Sequence, residues 1–405
     1  MINAERPPQW SEEILYSSGD AYYHAIFQAI SQAKHTVDLE TYIFEDDELG
    51  KRLLFELMNA SRRGVRVRLL VDGAGSILWW VTPKNDLRQA GVETRVYHPI
   101  PWAMPFSFIY KKFNKSMALF SRINQRNHRK TVLIDGETAF VGSFNVSANH
   151  SATLKGPNSW RDSGVQLKGT GVGDLVYAFE RAFRGSWPLY RVGRWLGQIP
   201  TILRWGYLGF YSGSKSLTGA SQPHPLVRLN MSFFQRRKNY QAFLDQIENA
   251  KKRVWITNAY FVPHGSLTRA LHRAAQSGAD VRMLFPKNPD IIFIKWVRSA
   301  FYLGLLNAGV KIFEYGEHTA RNLHAKTALI DDWALIGSSN LNHRSLFHDL
   351  EVDVILMKPG SVATLEEDFI RDRINARAIG LEDWWRSTRI TRFVGRVLLL
   401  LRYYM

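Results

Sequence analysis

The chain has 405 residues, with 53 Lys and Arg against 36 Asp and Glu, a formal net charge of +17, and no cysteine. Its 45% hydrophobic and 22% charged residues are typical of a globular protein and exclude a disordered or low-complexity chain. The lack of cysteine excludes disulfide bonds, a thiol nucleophile and cysteine-ligated metal sites. The first residues, MINAERPPQW, have no apolar core, so we do not expect a signal peptide. The excess of positive charge predicts an anionic partner, either nucleic acid or a membrane surface.

Helical and strand patterns alternate along the chain. Apolar residues recur at helical spacing in YYHAIFQAISQAKH and again in NYQAFLDQIENAKK, whereas VRVRLLV and DVRMLF alternate as strands do. Four glycines that precede predicted strands are placed to end a helix: Gly64, Gly91, Gly278 and Gly309. This alternation predicts an α/β sandwich with a mixed sheet in each half of the chain.

The same order of segments occurs twice, which indicates an internal duplication. AKHTVDLETYIF and HRKTVLIDGETAFVGSFN in the first half correspond to AKKRVWITNAYF and HAKTALIDDWALIGSSN in the second. Gly91 and Gly309 are 218 residues apart but His128 and His324 only 196, so the first half carries about 22 extra residues. We expect two halves packed about a pseudo-two-fold axis. The predicted boundaries are a first half over 1–185 with an insertion at 98–127, a linker over 186–228, a second half over 229–380 and a tail over 381–405.

Three segments without Asp or Glu hold much of the basic charge. They lie between Glu93 and Asp135, between Glu180 and Asp245, and after Asp383, and they contain 8, 10 and 5 Lys and Arg. The rest of the chain has a net charge of −6. Trp, Tyr and Phe are interleaved with these basic residues, as in a single-stranded nucleic-acid track or a membrane interface. Solvated loops with a few core aromatic residues are the third interpretation.

None of these segments is predicted to span a bilayer. The stretch 96–110 contains three prolines and falls short of the roughly 20 residues that a spanning helix needs. The run VLLLL in the tail has five residues between Arg396 and Arg402. Together with Arg389 and Arg392, these residues suit a short basic amphipathic helix. We therefore expect the protein to lie on a membrane. If all three basic segments lie on one face of the molecule, the active site would open between them.

Two copies of an H-x-K-x4-D pattern, each followed by G-S-x-N, occupy equivalent places in the two halves. On a strand, residues i and i+2 share a face, so each His projects together with its Lys. An imidazole can attack or protonate a phosphate ester, while ammonium, hydroxyl and amide groups bind the non-bridging oxygens. The candidate residues are His128, Lys130, Asp135, Ser143 and Asn145, and their counterparts His324, Lys326, Asp331, Ser338 and Asn340.

With these paired motifs the sequence resembles the phospholipase D superfamily over nearly its whole length. Its order and spacing look most like the bacterial cardiolipin synthases that lack an N-terminal transmembrane hairpin. The resemblance implies two phospholipase D-like α/β sandwich halves with one active site at their interface, no metal and no other cofactor. As a departure, five residues separate Asp331 from Gly337, whereas six separate Asp135 from Gly142. We interpret this as a shorter hairpin turn that loosens the placement of the residues after it.

Glu351 in LEVDVIL aligns with Asp162 in RDSGVQL. The resemblance implies that such a carboxylate accepts a hydrogen bond from a catalytic imidazole, which would fix the tautomer and stabilise the imidazolium. Asp135 and Asp331 stand at strand ends before turns. We assign them mainly to holding the geometry of the catalytic motif, and a purely structural role is as well supported as a catalytic one.

Other functions are less well supported by the sequence. The histidines outside the motifs fit structural roles: His150, His224, His343 and His348. A zinc site lacks a third ligand at a usual spacing, and no glycine-rich phosphate loop supports nucleotide hydrolysis. A nuclease of the same superfamily is the main rival, but the aliphatic residues among the aromatics and the VLLLL tail favour lipid. A non-catalytic membrane-binding relative is disfavoured because both motifs are intact.

The resemblance implies a two-step exchange at phosphorus through a covalent phosphohistidine. Following the family, we choose His128 as the nucleophile and His324 as general acid and then general base. The expected donor is phosphatidylglycerol and the acceptor a second phospholipid, giving cardiolipin and glycerol. Phosphatidylethanolamine is an alternative substrate, and hydrolysis to phosphatidic acid is the alternative reaction.

The expected partners are an anionic phospholipid membrane and the phospholipid substrates. Nucleic acid is not favoured, and no obligate protein partner is predicted. We expect a peripheral, monotopic protein of the bacterial inner membrane, on a leaflet that the sequence does not specify.

Overall fold

The computed structural model describes residues 10–82, 84–100, 125–189, 224–386, 395 and 397–399. Most of the predicted insertion, linker and tail therefore lies outside the described residues. Among the residues described, no helix combines the length and the hydropathy needed to cross a bilayer.

The first half contains a mixed sheet with the strand order β1-β7-β6-β5-β2-β3-β4-β8, in which β2, β3 and β4 are parallel and the other pairs antiparallel. Its strands are β1 (Glu12–Tyr16), β2 (Thr36–Thr41), β3 (Arg66–Asp72), β4 (Glu93–Tyr97), β5 (Thr131–Ile134), β6 (Thr138–Gly142), β7 (Gly164–Lys168) and β8 (Trp187–Pro188). Its helices are α1 (Gly19–Gln32), α2 (Glu48–Arg62), α3 (Ile77–Trp80), α4 (Asn85–Gln89), α5 (Ala152–Lys155) and α6 (Val172–Arg184). Two short 3₁₀ turns, Ala148–His150 and Gly156–Asn158, flank α5.

The second half repeats this sheet, with the order β9-β15-β14-β13-β10-β11-β12-β16. Its strands are β9 (Val227–Leu229), β10 (Arg253–Thr257), β11 (Asp280–Pro286), β12 (Lys311–Tyr315), β13 (Thr327–Ile330), β14 (Trp333–Gly337), β15 (Val352–Leu356) and β16 (Ala376–Ile379). Its helices are α7 (Phe233–Glu248), α8 (Gly265–Gln276), α9 (Ile292–Asn307), α10 (His343–Phe347), α11 (Pro359–Ile374) and α12 (Leu381–Arg386). Position by position, the two strand orders are the same, which confirms the predicted duplication and the α/β class.

Local sequence signals set the helix boundaries in both halves. Ser18 caps α1 and Ser232 caps α7, each by accepting a hydrogen bond from the backbone N–H three residues later. The four glycines predicted to end helices adopt φ values between 86° and 93° before the next strand. This left-handed conformation costs glycine little, because it has no Cβ.

The shorter turn of the second motif leaves the strand pairing unchanged. Thr131 of β5 pairs with Val141, and Thr327 of β13 pairs with Ile336, so each partner lies one residue before the glycine of its G-S-x-N segment. The second hairpin is one residue shorter than the first, and the difference lies in its turn. Contrary to expectation, the backbone register that leads into the serine and asparagine is therefore the same in both halves.

Three apolar clusters form most of the core. One lies between the first sheet and α1 and α2, and a second lies between the second sheet and α7 and α8. The third joins the halves, because Val165 and Phe179 of the first belong to the same cluster as Val352 and Phe369 of the second. This shared core holds the two sheets in a fixed relation, which the site between them requires.

Candidate active site

The two motif histidines lie in extended segments immediately before β5 and β13, close to the predicted strands. Each segment forms a two-bond bridge to the other half. The His128 N–H donates to Leu350 O at 2.9 Å, and the His324 N–H donates to Arg161 O at 2.8 Å. Both side chains are buried. The bridges fix each histidine against the chain that carries the opposite carboxylate.

Each histidine bonds a carboxylate from the other half. His128 Nδ1 lies 3.0 Å from Glu351 Oε1, and His324 Nδ1 lies 2.8 Å from Asp162 Oδ2. An ionised carboxylate only accepts hydrogen bonds, so each Nδ1 carries the proton and each Nε2 presents its lone pair. The sequence predicted these carboxylates but did not indicate that they cross between the halves.

The serines occupy a different place from the one predicted. Instead of facing a phosphate, Ser143 donates its hydroxyl proton to Asp162, and Ser338 donates to Glu351. Both hydroxyls also lie near backbone carbonyls of β7 and β15 segments. We conclude that these two serines hold the carboxylates behind the histidines, because their donors are already used.

The two asparagines are buried but differ in their contacts. Asn145 Oδ1 accepts from the Ile43 N–H at 3.3 Å. Asn340 Oδ1 has no hydrogen-bond partner within the part of the chain that the structure describes. A buried amide oxygen without a partner is unfavourable, so a ligand or water is expected to complete it. The predicted contact of the asparagines with phosphate remains a prediction.

The motif lysines lie beside their own histidines. Lys130 Nζ donates to His128 O at 2.6 Å, and Lys326 Nζ donates to His324 O at 2.7 Å. Lys326 Nζ also lies 3.1 Å from His324 Nε2. Burial lowers the pKa of Lys130 to about 7 and that of Lys326 to about 8, although nearby carboxylates act in the opposite direction. Both ammonium groups therefore titrate near neutral pH.

Burial also sets the protonation of the histidines and carboxylates. It lowers the pKa of His128 well below its usual value, and the two lysines lower it further. The pKa of His324 is lowered by burial and by Lys326, while Asp162 opposes the change. Burial raises the pKa of Glu351 to about 7. Burial would also raise the pKa of Asp162. The charge of His324 and its hydrogen bond to Asp162 outweigh burial, so the pKa of Asp162 is lowered.

Asp135 and Asp331 stand apart from the histidine pair. Both occupy turns with positive φ, 54° and 50°. The Asp135 carboxylate accepts hydrogen bonds from the backbone N–H groups of residues 34–36 at 2.7–3.0 Å, and Asp331 does the same with residues 251–253 at 2.8–3.0 Å. These bonds hold the start of β2 or β10 against the motif hairpin. Although both belong to the catalytic motif, they therefore act on its geometry, the role to which the sequence mainly assigned them.

One residue that the sequence placed among structural histidines belongs to the site. Buried His150 accepts the Asn145 N–H at Nε2, 3.2 Å away, and its Nδ1 lies 3.2 Å from Asp162 Oδ2. In the second half Ser345 takes the same place, accepting the Asn340 N–H at 3.1 Å and donating to Glu351 Oε1 at 2.6 Å. His150 and Ser345 each follow the motif asparagine by five residues, and this shared spacing was the signal in the sequence. It was missed because one residue is a histidine and the other a serine.

Aromatic rings surround the histidines. The ring centroid of Tyr42 lies 4.9 Å from that of His128, and the Trp160 and Tyr260 centroids lie 5.1 and 6.0 Å from that of His324. These rings limit water around the imidazoles, which strengthens electrostatic interactions at the site.

Comparison with known proteins agrees with this geometry. A family model described as "Cardiolipin synthase, PLD-like domain" matches residues 26–187 and 243–373. A cardiolipin synthase of Halalkalibacterium halodurans is 34% identical over 377 residues, 92% of this chain and 68% of the relative. Cardiolipin synthase B of Salmonella typhimurium is 32% identical over 382 residues, 93% of this chain and 85% of the relative.

A solved structure shares the fold. Phosphatidylserine synthase from Haemophilus influenzae Rd KW20 matches with a TM-score of 0.68 at 12% identity, covering 98% of this chain and 97% of that one. At this identity the likeness supports the two-halved fold alone. The family match, in contrast, includes both motifs and both crossing carboxylates, and the predicted resemblance is confirmed. The chain belongs to the cardiolipin synthase family of phospholipase D-like phosphatidyltransferases.

Proposed function

We propose that the protein transfers a phosphatidyl group from phosphatidylglycerol to the free hydroxyl of a second phospholipid, through a phosphohistidine on His128. The observation that carries this proposal is the pair of crossed carboxylate–histidine contacts. With each Nδ1 bound to a carboxylate, two Nε2 atoms are available for a nucleophile and an acid–base group. Among the described residues, no side chain hydrogen-bonds His128 Nε2, whereas His324 Nε2 contacts Lys326.

In the first step, His128 Nε2 attacks phosphorus and the bond from phosphorus to the glycerol oxygen breaks. His324, as imidazolium, donates its Nε2 proton to that oxygen, and glycerol leaves. Glu351 stabilises the positive charge that develops on the His128 ring. The ionised Asp162 stabilises the imidazolium form of His324, which supports the acid–base role of His324.

In the second step, neutral His324 takes the proton of the incoming hydroxyl, and that oxygen forms a bond with phosphorus. The bond from phosphorus to His128 Nε2 breaks, which restores both histidines. Lys130 and Lys326 would bind the non-bridging oxygens, whose charge is redistributed in each transition state. One phosphodiester replaces another, so the reaction requires no nucleotide. Water can replace the acceptor, and phosphatidic acid is then released.

The location that we propose is the surface of the bacterial inner membrane, as a peripheral protein. Cardiolipin synthases act on phospholipids, and two long-chain substrates are most readily supplied by a bilayer. Phosphatidylethanolamine has no free hydroxyl, so in this scheme it can serve only as the donor. His128 would then attack its phosphorus, ethanolamine would leave in place of glycerol, and phosphatidylglycerol would be the acceptor. Product analysis separates these donors, because one releases glycerol and the other ethanolamine.

Mass spectrometry of lipid products tests the transferase function. Purified full-length protein in vesicles of phosphatidylglycerol should give a four-chain lipid and glycerol, with no metal or nucleotide added. Release of phosphatidic acid alone would contradict transfer and identify a hydrolase. His128→Ala and His324→Ala are the matched inactive controls, each expected to lower turnover at least about 10³-fold.

Rapid-quench trapping tests the assignment of the nucleophile. Labelled phosphatidylglycerol should leave label on a peptide that contains His128. Label on the His324 peptide instead would reverse the two roles while leaving the overall transfer unchanged.

A further inference from the structure

An exposed carboxylate, Asp290, lies beside the acid–base histidine. It stands between β11 and α9, and both of its oxygens lie 2.6 Å from the Tyr260 hydroxyl, which donates its proton to them. The centroid of the Tyr260 ring lies 6.0 Å from that of His324. From this geometry we infer that Asp290 selects the alcohol of the reaction, by accepting hydrogen bonds from the free hydroxyls of a glycerol headgroup. The inference rests on the proposed function, because it concerns the alcohol that leaves and the alcohol that enters.

Electrostatic interactions place Asp290 near the reacting groups. Burial raises the pKa of Tyr260, and the charges of Asp290 and of Asp162, the carboxylate that bonds His324, add to this effect. Burial lowers the pKa values of His324 and Lys326, and the charge of Asp290 is among those that oppose the change. Asp290 therefore lies within electrostatic reach of the imidazole and the ammonium group that would act on the substrate.

The Asp290 carboxylate has hydrogen-bonding capacity that the protein does not use. An ionised carboxylate can accept about four hydrogen bonds. In the part of the chain that the structure describes, the Tyr260 hydroxyl is the only group that donates to Asp290, and no Lys or Arg forms an ion pair with it. Because the side chain is exposed, a headgroup that enters the site can reach its remaining lone pairs.

Two carboxylates near the other histidine are already occupied. Asp72 is buried and accepts the backbone N–H groups of residues 74, 75 and 127 at 2.7–3.1 Å. Asp349 is also buried and bonds Arg344 at 3.0 Å. Neither is open to a headgroup as Asp290 is, so the two sides of the histidine pair differ. The open carboxylate lies on the side of His324, to which we assign the acid–base role.

In the proposed reaction the alcohol lies on the side of His324 in both steps. His324 donates a proton to the oxygen of the departing glycerol and later takes one from the incoming hydroxyl. A departing glycerol carries two further hydroxyls, and the headgroup of an acceptor phosphatidylglycerol carries one beside the hydroxyl that reacts. Each can donate to a carboxylate, and hydrogen bonds to an ionised acceptor are strong. An alcohol without a second hydroxyl cannot make this bond, so the site should discriminate against it.

Competition between two alcohols tests the selection. Full-length protein with phosphatidylglycerol is given deuterated glycerol and 1-propanol at equal concentrations, and mass spectrometry measures the ratio of deuterated phosphatidylglycerol to phosphatidylpropanol. Both alcohols attack the same phosphohistidine, so this ratio does not depend on the amount of folded enzyme. Asp290→Ala should lower the ratio by about tenfold relative to the wild type. The matched control is Asp332→Ala, which removes an exposed carboxylate beyond the end of β13 that is far from His324, and it should leave the ratio unchanged.

A second variant tests how Asp290 is held. Tyr260→Phe keeps the ring beside His324 but removes the hydroxyl that bonds Asp290. The carboxylate is then less well positioned, so the glycerol-to-propanol ratio should fall in the same direction as in Asp290→Ala, but by less.

Each result has a definite meaning. An unchanged ratio in Asp290→Ala would overturn the inference, even if both products decreased together, and so would an equal fall in Asp332→Ala. The donor side provides a readout that needs no transfer. The kcat/KM for headgroup release from short-chain phosphatidylglycerol, relative to that from phosphatidylpropanol, should also fall in Asp290→Ala. A wild type that releases only phosphatidic acid would refute the proposed transfer, whereas the donor ratio would still support or overturn selection by Asp290.

Discussion

At the scale of single residues, the two carboxylate–histidine pairs differ although their layout is the same. Asp162 is held ionised by its imidazole partner, whereas burial raises the pKa of Glu351 to about 7. A negative charge beside an imidazole favours its protonated form, so His324 is better suited to hold a proton than His128. This difference agrees with a nucleophilic His128 and an acid–base His324.

The pH dependence of kcat/KM should follow from these groups. His128 must be neutral to attack, so kcat/KM should fall as the pH decreases through the lowered pKa of this imidazole. The pKa values of Lys130 and Lys326 are about 7 and about 8, so raising the pH through this range removes the positive charge that binds phosphate. Short-chain phosphatidylglycerol would serve as the substrate. The first step also needs His324 as the imidazolium, so kcat/KM should begin to fall as the pH rises through the lowered pKa of His324 and should fall further as the two lysines lose their charge. A wild-type profile that still rises above about pH 9 would contradict this account.

His150 is expected to act as a positioning residue through Asp162. His150→Ala should lower kcat by roughly tenfold or more with little change in KM, because Asp162 loses one of its contacts and holds His324 less well. His150→Ser copies the second half and should restore most of the loss. Ser345→Ala is the matched control for the other pair. If His150→Ala changes the unfolding temperature but leaves kcat and its pH profile intact, the role is only structural.

At the scale of elements, equivalent positions in the two halves have been filled differently. In the first half Gly164 lies against the rings of Tyr22 and Phe144, where a Cβ would be 2.6 and 3.0 Å from ring carbons. The equivalent residues in the second half are Asp353, Arg236 and Ser339, and they line a cavity of about 70 Å³. Polar residues beside a cavity next to Lys326 thus stand where the first half has an aromatic cluster.

Gly164→Ala should therefore destabilise the protein. The added methyl group would collide with the Tyr22 ring, and the free energy of unfolding should fall by about 1–3 kcal/mol. Gly173→Ala in α6 is the matched control, because nothing lies within 4 Å of its added Cβ. That change should be neutral or should stabilise by about 0.5–1 kcal/mol. Urea denaturation measures both, and equal effects would contradict the proposed close contact.

The sequence predicted individual elements better than their contacts across the chain. The duplication and the helix-ending glycines were readable because they depend on local pattern, and the family resemblance implied that Asp162 and Glu351 orient the histidines. The crossing of the carboxylates was not readable, since it depends on how two folded halves dock. Ser143 and Ser338 were assigned to phosphate because a hydroxyl suits several partners, and only the structure shows which one is in reach.

At the scale of the whole molecule, polar contacts as well as the shared core join the halves. Buried Arg161 of the first half bonds Asp372 of the second, with Nε and Nη2 each 3.0 Å from a carboxylate oxygen, and its Nη2 lies 3.4 Å from Asp368. The bridge from Arg161 to Leu323 adjoins this cluster. Loss of the contact would therefore disturb both the interface and the neighbouring His324.

We expect the two halves to unfold together in a single calorimetric transition, because the apolar cluster between them is continuous. Arg161→Ala should lower the free energy of unfolding by about 3–5 kcal/mol, since it removes the ion-pair partner of the buried Asp372 carboxylate, whereas Asp368 keeps Arg371 at 2.9 Å. The exposed pair of Arg273 and Glu248 offers a control, and Arg273→Ala should cost less than about 1 kcal/mol. Two resolved transitions in the wild type would contradict a single cooperative unit.

The crossed carboxylates also bear on how such a chain arose. Neither half alone holds a histidine together with the carboxylate that orients it, so a single-copy ancestor could have completed this arrangement only by pairing with an identical subunit. After two copies were fused in one chain, equivalent positions in the two halves could be substituted independently. The present differences, aspartate against glutamate and His150 against Ser345, are substitutions that identical subunits could not have acquired separately.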